Sequence, residues 1–145
     1  EVYEVAGQPI SELQKKCPPP YRILQLGLAM EREALYEWSD GRIDGMIQSG
    51  LVAEVQELFD RGYGPWLMAM SGIGYAEVGR YLRGEISLQE AVRLIKANTR
   101  RFIRHQYNWF RLDDPRIHWI DQGPGATGQA AAIVEEWLGK GQDSD

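Results

Sequence analysis

The stretch SLQEAVRLIKANTRRFIRHQYNWFR, residues 87–111, limits the possible folds of this chain more than any other. Ser87 and Glu90 have the form of a capping box, a hydroxyl at the cap and a carboxylate three residues on. No glycine or proline interrupts residues 88–111. The pattern predicts one helix over about 88–111, roughly 36 Å long at 1.5 Å per residue. On a wheel of about 100° per residue, Leu88, Val92, Ile95, Thr99, Phe102, Gln106 and Phe110 share one face. Arg93, Lys96, Arg100, Arg104 and Arg111 gather opposite, with Arg101 and Asn108 at their flank. Tyr107 lies on the basic side; His105 and Trp109 lie near its borders, Trp109 closer to the apolar face and expected in the core.

Between Glu90 and Asp113 this helix has no acidic residue, although the chain as a whole carries a net charge of -5. An ordinary solvated helix intersperses Glu with Lys and Arg for pairing at i,i+4. Three readings are open. The basic face is neutralised by acidic side chains from other segments, in a purely structural helical domain. Or it binds RNA without catalysis. Or it is a polyanion track, with forked guanidinium groups for phosphates and rings that stack on unpaired bases.

The rest of the chain bounds these readings. Its 145 residues fit one domain able to bury a core, residues 1–145 as a single unit. Cys17 is the only cysteine, which leaves no disulfide or zinc spacing and makes a cytoplasmic setting the expectation. No apolar run reaches membrane-spanning length, so no membrane partner is expected.

Local patterns place the elements. A helix is expected to stop at Gly7, a helical turn to cover 10–16, and CPPP at 17–20 to force an extended link. YRILQLGLA predicts a buried strand at about 22–28. Leu35, Trp38, Ile43, Met46 and Ile47 mark a helix over 31–48, and Leu51, Val52, Val55, Leu58 and Phe59 a second one. A Gly-rich turn, SGIGY, runs into a short helix ending at Gly84. RIHWID predicts a strand at about 117–121, QGPGATGQ a loop, and 130–138 a closing helix. GPGATGQA has two glycines at phosphate-loop separation, but Gln129 and Ala130 replace the lysine and hydroxyl that chemistry needs; it is read as a plain loop. His105 and His118 lack metal-ligand spacing. The opening EVYEV and a strand count too low for a stable sheet point to a piece of a longer protein.

Taken together, EVYEVAGQPISELQ, PPYRILQLGL, RIDGMIQSGLVAEVQELFDRGY, GIGYAEVGRYLRGEISLQEAVRLIKANTRRFIRHQYNWFR and RIHWID resemble the C-terminal half of the bacterial tRNA dimethylallyltransferases, or tRNA isopentenyl transferases. The resemblance implies a helix-rich α/β fold, part of a P-loop-kinase-like parallel sheet, with two parallel strands flanked by helices. It implies an enzyme moving a dimethylallyl group from dimethylallyl diphosphate to N6 of adenosine 37 in tRNA. Magnesium and nucleotide-type phosphate binding belong to the full-length family enzyme, expected to be a monomer. The family's phosphate loop, acidic general base and insertion domain have no counterpart here, so no catalytic residue and no metal ligand is assigned in this chain.

The family's tRNA-contacting segments map onto two stretches. The turn supplies Ser71, Gly72, Ile73, Gly74, Tyr75 and Ala76. The helix end supplies Arg104, His105, Gln106, Tyr107, Asn108, Trp109, Phe110 and Arg111. Arg42, Arg93, Arg100 and Arg101 are further phosphate candidates. Ser71, Ala76 and His105 stand where basic or polar residues are common in the family, which weakens expected phosphate contact there or ties it to protonation of His105. Alanine at Arg100, Arg104 and Arg111 is expected to weaken tRNA binding with little effect on folding. The purified chain is expected to bind tRNA weakly, to self-associate through a bare strand edge, and to transfer no prenyl group. Turnover of tRNA and dimethylallyl diphosphate above a blank overturns the last expectation.

Overall fold

The computed structural model describes residue 7 and residues 21–139. The helix expected before Gly7, the turn over 10–16 and the CPPP link lie outside the described residues. Strand β1 (Gln25–Ala29) leads into α1 (Arg32–Gln48) and α2 (Leu51–Asp60). A 3-10 turn (Met68–Ser71) precedes α3 (Tyr75–Leu82) and the long α4 (Leu88–Trp109). Strand β2 (Ile117–Asp121) and α5 (Ala126–Gly139) close the order.

β1 and β2 are adjacent and parallel, in register from Gln25 opposite Ile117 to Ala29 opposite Asp121. The helical connection between them has the length a parallel crossover needs. The fold class expected from the sequence is therefore the one observed. β1 starts at Gln25 rather than near residue 22 because its partner starts at Ile117. Arg22 has another role: its guanidinium donates to the Trp137 carbonyl at 2.7 Å and lies 4.4 Å above the Trp137 ring, tying the strand's approach to α5. Gly27 is required by packing. A Cβ there would sit 2.6 Å from the Trp119 ring across the pair.

α5 begins at Ala126, four residues earlier than the sequence pattern suggests. Its Ala-rich sequence favours helix strongly enough to absorb Gly128. The Gln129 N–H already bonds the Gly125 carbonyl at 3.1 Å, so half of the expected loop is helical.

The core lies among α1 to α4. Ile43, Leu51, Val55, Met70, Val78 and Ile95 form it, with Val55 and Val78 fully enclosed. α2 and α3 approach closely at Gly79, where a Cβ would stand 3.0 Å from the Phe59 ring. Trp38 and Met46, expected inward, are exposed, because α1 buries the row through Ser39 and Ile43 instead.

α4 also departs from a simple wheel. Its first half buries Ala91 and Ile95, its second half Ile103, while Phe102 is 55% exposed. The stripe rotates because the second half leaves the helical cluster and lies beside β1. Trp109, expected in the core, is 82% exposed.

α1 runs antiparallel to α4 through two ion pairs. Asp44 meets Lys96 at 2.7 Å and Asp40 meets Arg100 at 2.7 Å. The Arg100 guanidinium also lies 5.3 Å from the Tyr36 ring. Asp40 Oδ1 is buried and has no hydrogen-bond partner among the described residues, so the carboxylate depends on Arg100. The contact argues against the expectation that alanine at Arg100 has little effect on folding. Arg100→Ala should lower stability by about 1–3 kcal/mol, the cost of stranding a buried polar partner. Arg104→Ala should stay within about 0.5 kcal/mol. Urea unfolding of the two variants checks the contrast.

Candidate nucleic-acid interface

The glycine turn is built on Met70, whose buried side chain anchors the 3-10 segment to the core. Ser71 donates its hydroxyl to the Met68 carbonyl at 2.7 Å, closing the turn. Gly74 then takes φ of +102°, a conformation that disfavours side chains, and caps α3. Its N–H donates to Glu77 Oε2 at 2.8 Å. This is one half of a capping box; glycine cannot supply the other half. Glu77 Oε1 accepts from Asn98 Nδ2 at 2.7 Å, which joins the turn to the middle of α4.

The six turn residues predicted from the sequence do not all face outward. Ser71, Gly72 and Ile73 are exposed; Gly74 is buried and Ala76 half-buried. The Tyr75 hydroxyl donates to Glu54 Oε1, and that carboxylate holds the phenol above its usual pKa of 10.0. Tyr75 is therefore tied back to α2.

The eight predicted residues at the end of α4 divide between two sides. Gln106, Tyr107 and Phe110 line an apolar groove of about 520 Å³ against β1, together with Trp119. Arg32 covers the Tyr107 ring at 5.3 Å. Arg104, His105, Asn108 and Trp109 are exposed, as is Arg101 one turn earlier. Asn98, Arg101, Phe102 and His105 follow one another at offsets of three, four and seven residues, so they form one row on the helix surface. The row starts at Asn98, which meets Glu77 in the first turn of α3.

Charge separates along the same helix. Arg93 is engaged by Glu90, Lys96 by Asp44, Arg100 by Asp40, and Arg111 by Asp113. Arg42 lies over the Trp38 ring at 5.9 Å. Among the described residues neither Arg101 nor Arg104 has an ion-pair partner, while the four basic neighbours named above each have one. Sequence reasoning missed Glu77 and Asn98. Glu77 carried a signal, a carboxylate at capping-box distance from a glycine before a helix; Asn98 carried none.

What results is a helix-rich α/β domain with an exposed Ser71–Ile73 turn and an α4 end where Arg101 and Arg104 have no ion-pair partner among the described residues. The chain belongs to the IPP transferase family, whose model matches residues 1–113. It is 43% identical over 97% of its length to a tRNA dimethylallyltransferase of Dehalococcoides mccartyi, of which it covers 43%. It is 50% identical over 83% of its length to the enzyme of that name in Pelotomaculum thermopropionicum, of which it covers 38%. The crystal structure of a tRNA isopentenylpyrophosphate transferase from Bacillus halodurans superposes with a TM-score of 0.71 at 31% identity, over 90% of this chain and 42% of that one. A tRNA delta(2)-isopentenylpyrophosphate transferase from Staphylococcus epidermidis gives 0.72 at 29% identity, over 80% and 39%. The chain thus spans about two fifths of the relatives it matches.

The entry to β2 has its own clamp. The Arg116 guanidinium and backbone N–H both donate to Asp114, which holds that carboxyl at about 2, below its ordinary 3.8. A depressed carboxylate contributes fully above its unfolded value and loses that contribution as pH falls through the folded one. The clamp should therefore hold at neutral pH and loosen between about pH 4 and 2. Carboxyl-carbon NMR should show Asp114 titrating near the lower value, and Arg116→Ala should move the midpoint up toward 3.8.

Proposed function

We propose that this chain is the tRNA-gripping part of an enzyme that transfers a dimethylallyl group from dimethylallyl diphosphate to N6 of adenosine 37 in tRNA, acting in the cytoplasm. The observation that carries this reading is the separation of charge on α4. Arg93, Lys96 and Arg100 are engaged by neighbouring carboxylates, while Arg101 and Arg104 further along the helix are left for a ligand. Phe102, His105 and Trp109 interleave with them and offer ring faces to unpaired bases.

The chemistry asks for more than grip. The exocyclic amine of adenine is a weak nucleophile, and diphosphate must leave with its charge stabilised. Arg101 and Arg104 hold phosphates and so orient the base. Among the described residues no group of three or more His, Cys, Asp or Glu side chains could hold a metal ion, and no step is routed through the magnesium of the full-length enzyme. No general base is assigned among them either.

The structural reading has support of its own around the middle of α4, where Asp40 and Asp44 cover Arg100 and Lys96. The two readings make opposite predictions for Arg101 and Arg104. Filter binding of unmodified bacterial tRNA across a salt series separates them. Each of Arg101→Ala and Arg104→Ala should flatten the slope of log affinity against log salt by about 0.7–0.9, one phosphate contact apiece. Arg93→Ala should leave it unchanged. Equal slopes for all three variants would show that α4 is structural throughout.

A further inference from the structure

Glu77 is only 6% exposed, and no Lys, Arg or His pairs with it among the described residues. A buried carboxylate without a cation costs stability that a neutral side chain would avoid. Its two oxygens are nevertheless both used, each on a different element. Oε2 takes the Gly74 N–H at 2.8 Å and Oε1 takes the Asn98 amide at 2.7 Å. One planar group thus fixes the strained residue of the glycine turn to the residue of α4 from which the Arg101 and His105 row starts.

We infer that Glu77, acting through Asn98, is a positioning residue that sets the glycine turn and the cationic row of α4 into one rigid RNA-binding surface. The inference rests on the RNA reading proposed above. Glu77 is too buried to meet RNA itself, so its effect is indirect. Its partner on α4 lies three residues from Arg101 and six from Arg104, about 4.5 and 9 Å along the axis. Any slip of the turn changes the distance between its exposed Ser71–Ile73 backbone and those two guanidinium groups. Among the described residues nothing else ties the turn to α4 by a hydrogen bond: Tyr75 reaches α2 instead, and Ser71 bonds within the turn.

The test is a charge-swap cycle in the whole chain, with unmodified bacterial tRNA as the probe. Asn98→Asp sets two carboxylates against each other and should break the link. Glu77→Gln in that background should remake it, because the glutamine oxygen accepts from Gly74 while its amide donates to the carboxylate that Asn98→Asp introduces. Asn98→Asp should weaken tRNA binding about tenfold, the scale of one lost hydrogen bond. The salt slope should stay unchanged, since no cation is lost. Hydrogen exchange at the Gly74 amide should accelerate in step. The double variant should restore both readouts.

Asn98→Ala is measured alongside, in case facing carboxylates prevent folding. If both single variants fail to fold, Asn98 holds the fold and the positioning role is overturned. Variants that bind like the unaltered chain, or a double variant that restores neither readout, overturn it as well. No tRNA binding by the unaltered chain overturns the RNA reading and this inference together, a result distinct from binding that is merely indifferent to Asn98.

Discussion

The antiparallel contact between α1 and α4 decides what the rest of the surface can do. Asp40 and Asp44 stand four residues apart and meet Arg100 and Lys96, also four apart, across the helix pair. Their cost and benefit depend on depth. A half-buried carboxylate with one oxygen left unpartnered is stable only while its guanidinium remains in place. The pairs thus commit two cations to the fold and align α4 on the core built by Val55, Val78 and Ile95. The cations of α4 without such partners among the described residues, Arg101 and Arg104, lie beyond this contact toward the helix end.

Two apolar constraints hold the framework to which that surface is attached. Gly27 lets the Trp119 ring lie against β1, where any Cβ would collide. Gly79 lets α3 approach Phe59, which in turn sets the position of the turn that caps α3. Both are close approaches of backbone to ring, the packing role for which glycine is suited. The parallel strand pair then places the groove lined by Tyr107 and Phe110 on one side of the α4 end. The outward row is left on the other. The helix end therefore serves packing and recognition at once, with the two tasks divided by helical phase.

Much of this was legible in the residues. Ser87 and Glu90 announced the start of α4, and the Ser87 hydroxyl does accept the Glu90 N–H at 3.1 Å. The second strand was placed at its observed bounds, and its parallel pairing was implied by the family resemblance. Motif resemblance identified the family that residues 1–113 match. Other features were hidden for definable reasons. A helical wheel assumes one buried face along the whole element, and α4 has two, so Phe102 and Trp109 were placed inward. The loop reading of residues 122–129 gave too much weight to Gly128 within a run of alanines. Cross-element partners such as Asp40 with Arg100, 60 residues apart, leave no local trace.

Local chemistry in the sequence determined the helices, their caps, the two strands, the glycine turn and the accumulation of cations on α4. These depend on residues within a few positions of one another, where spacing maps directly onto geometry. Only the tertiary structure decided which cations are engaged, which rings are exposed, and that Glu77 joins the turn to Asn98. Those outcomes depend on the angle at which helices cross and on which carboxylate is carried into reach. Such distances are fixed by the packing of Val55, Val78 and Ile95, side chains whose apolar character gives no indication of the direction from which their neighbours approach.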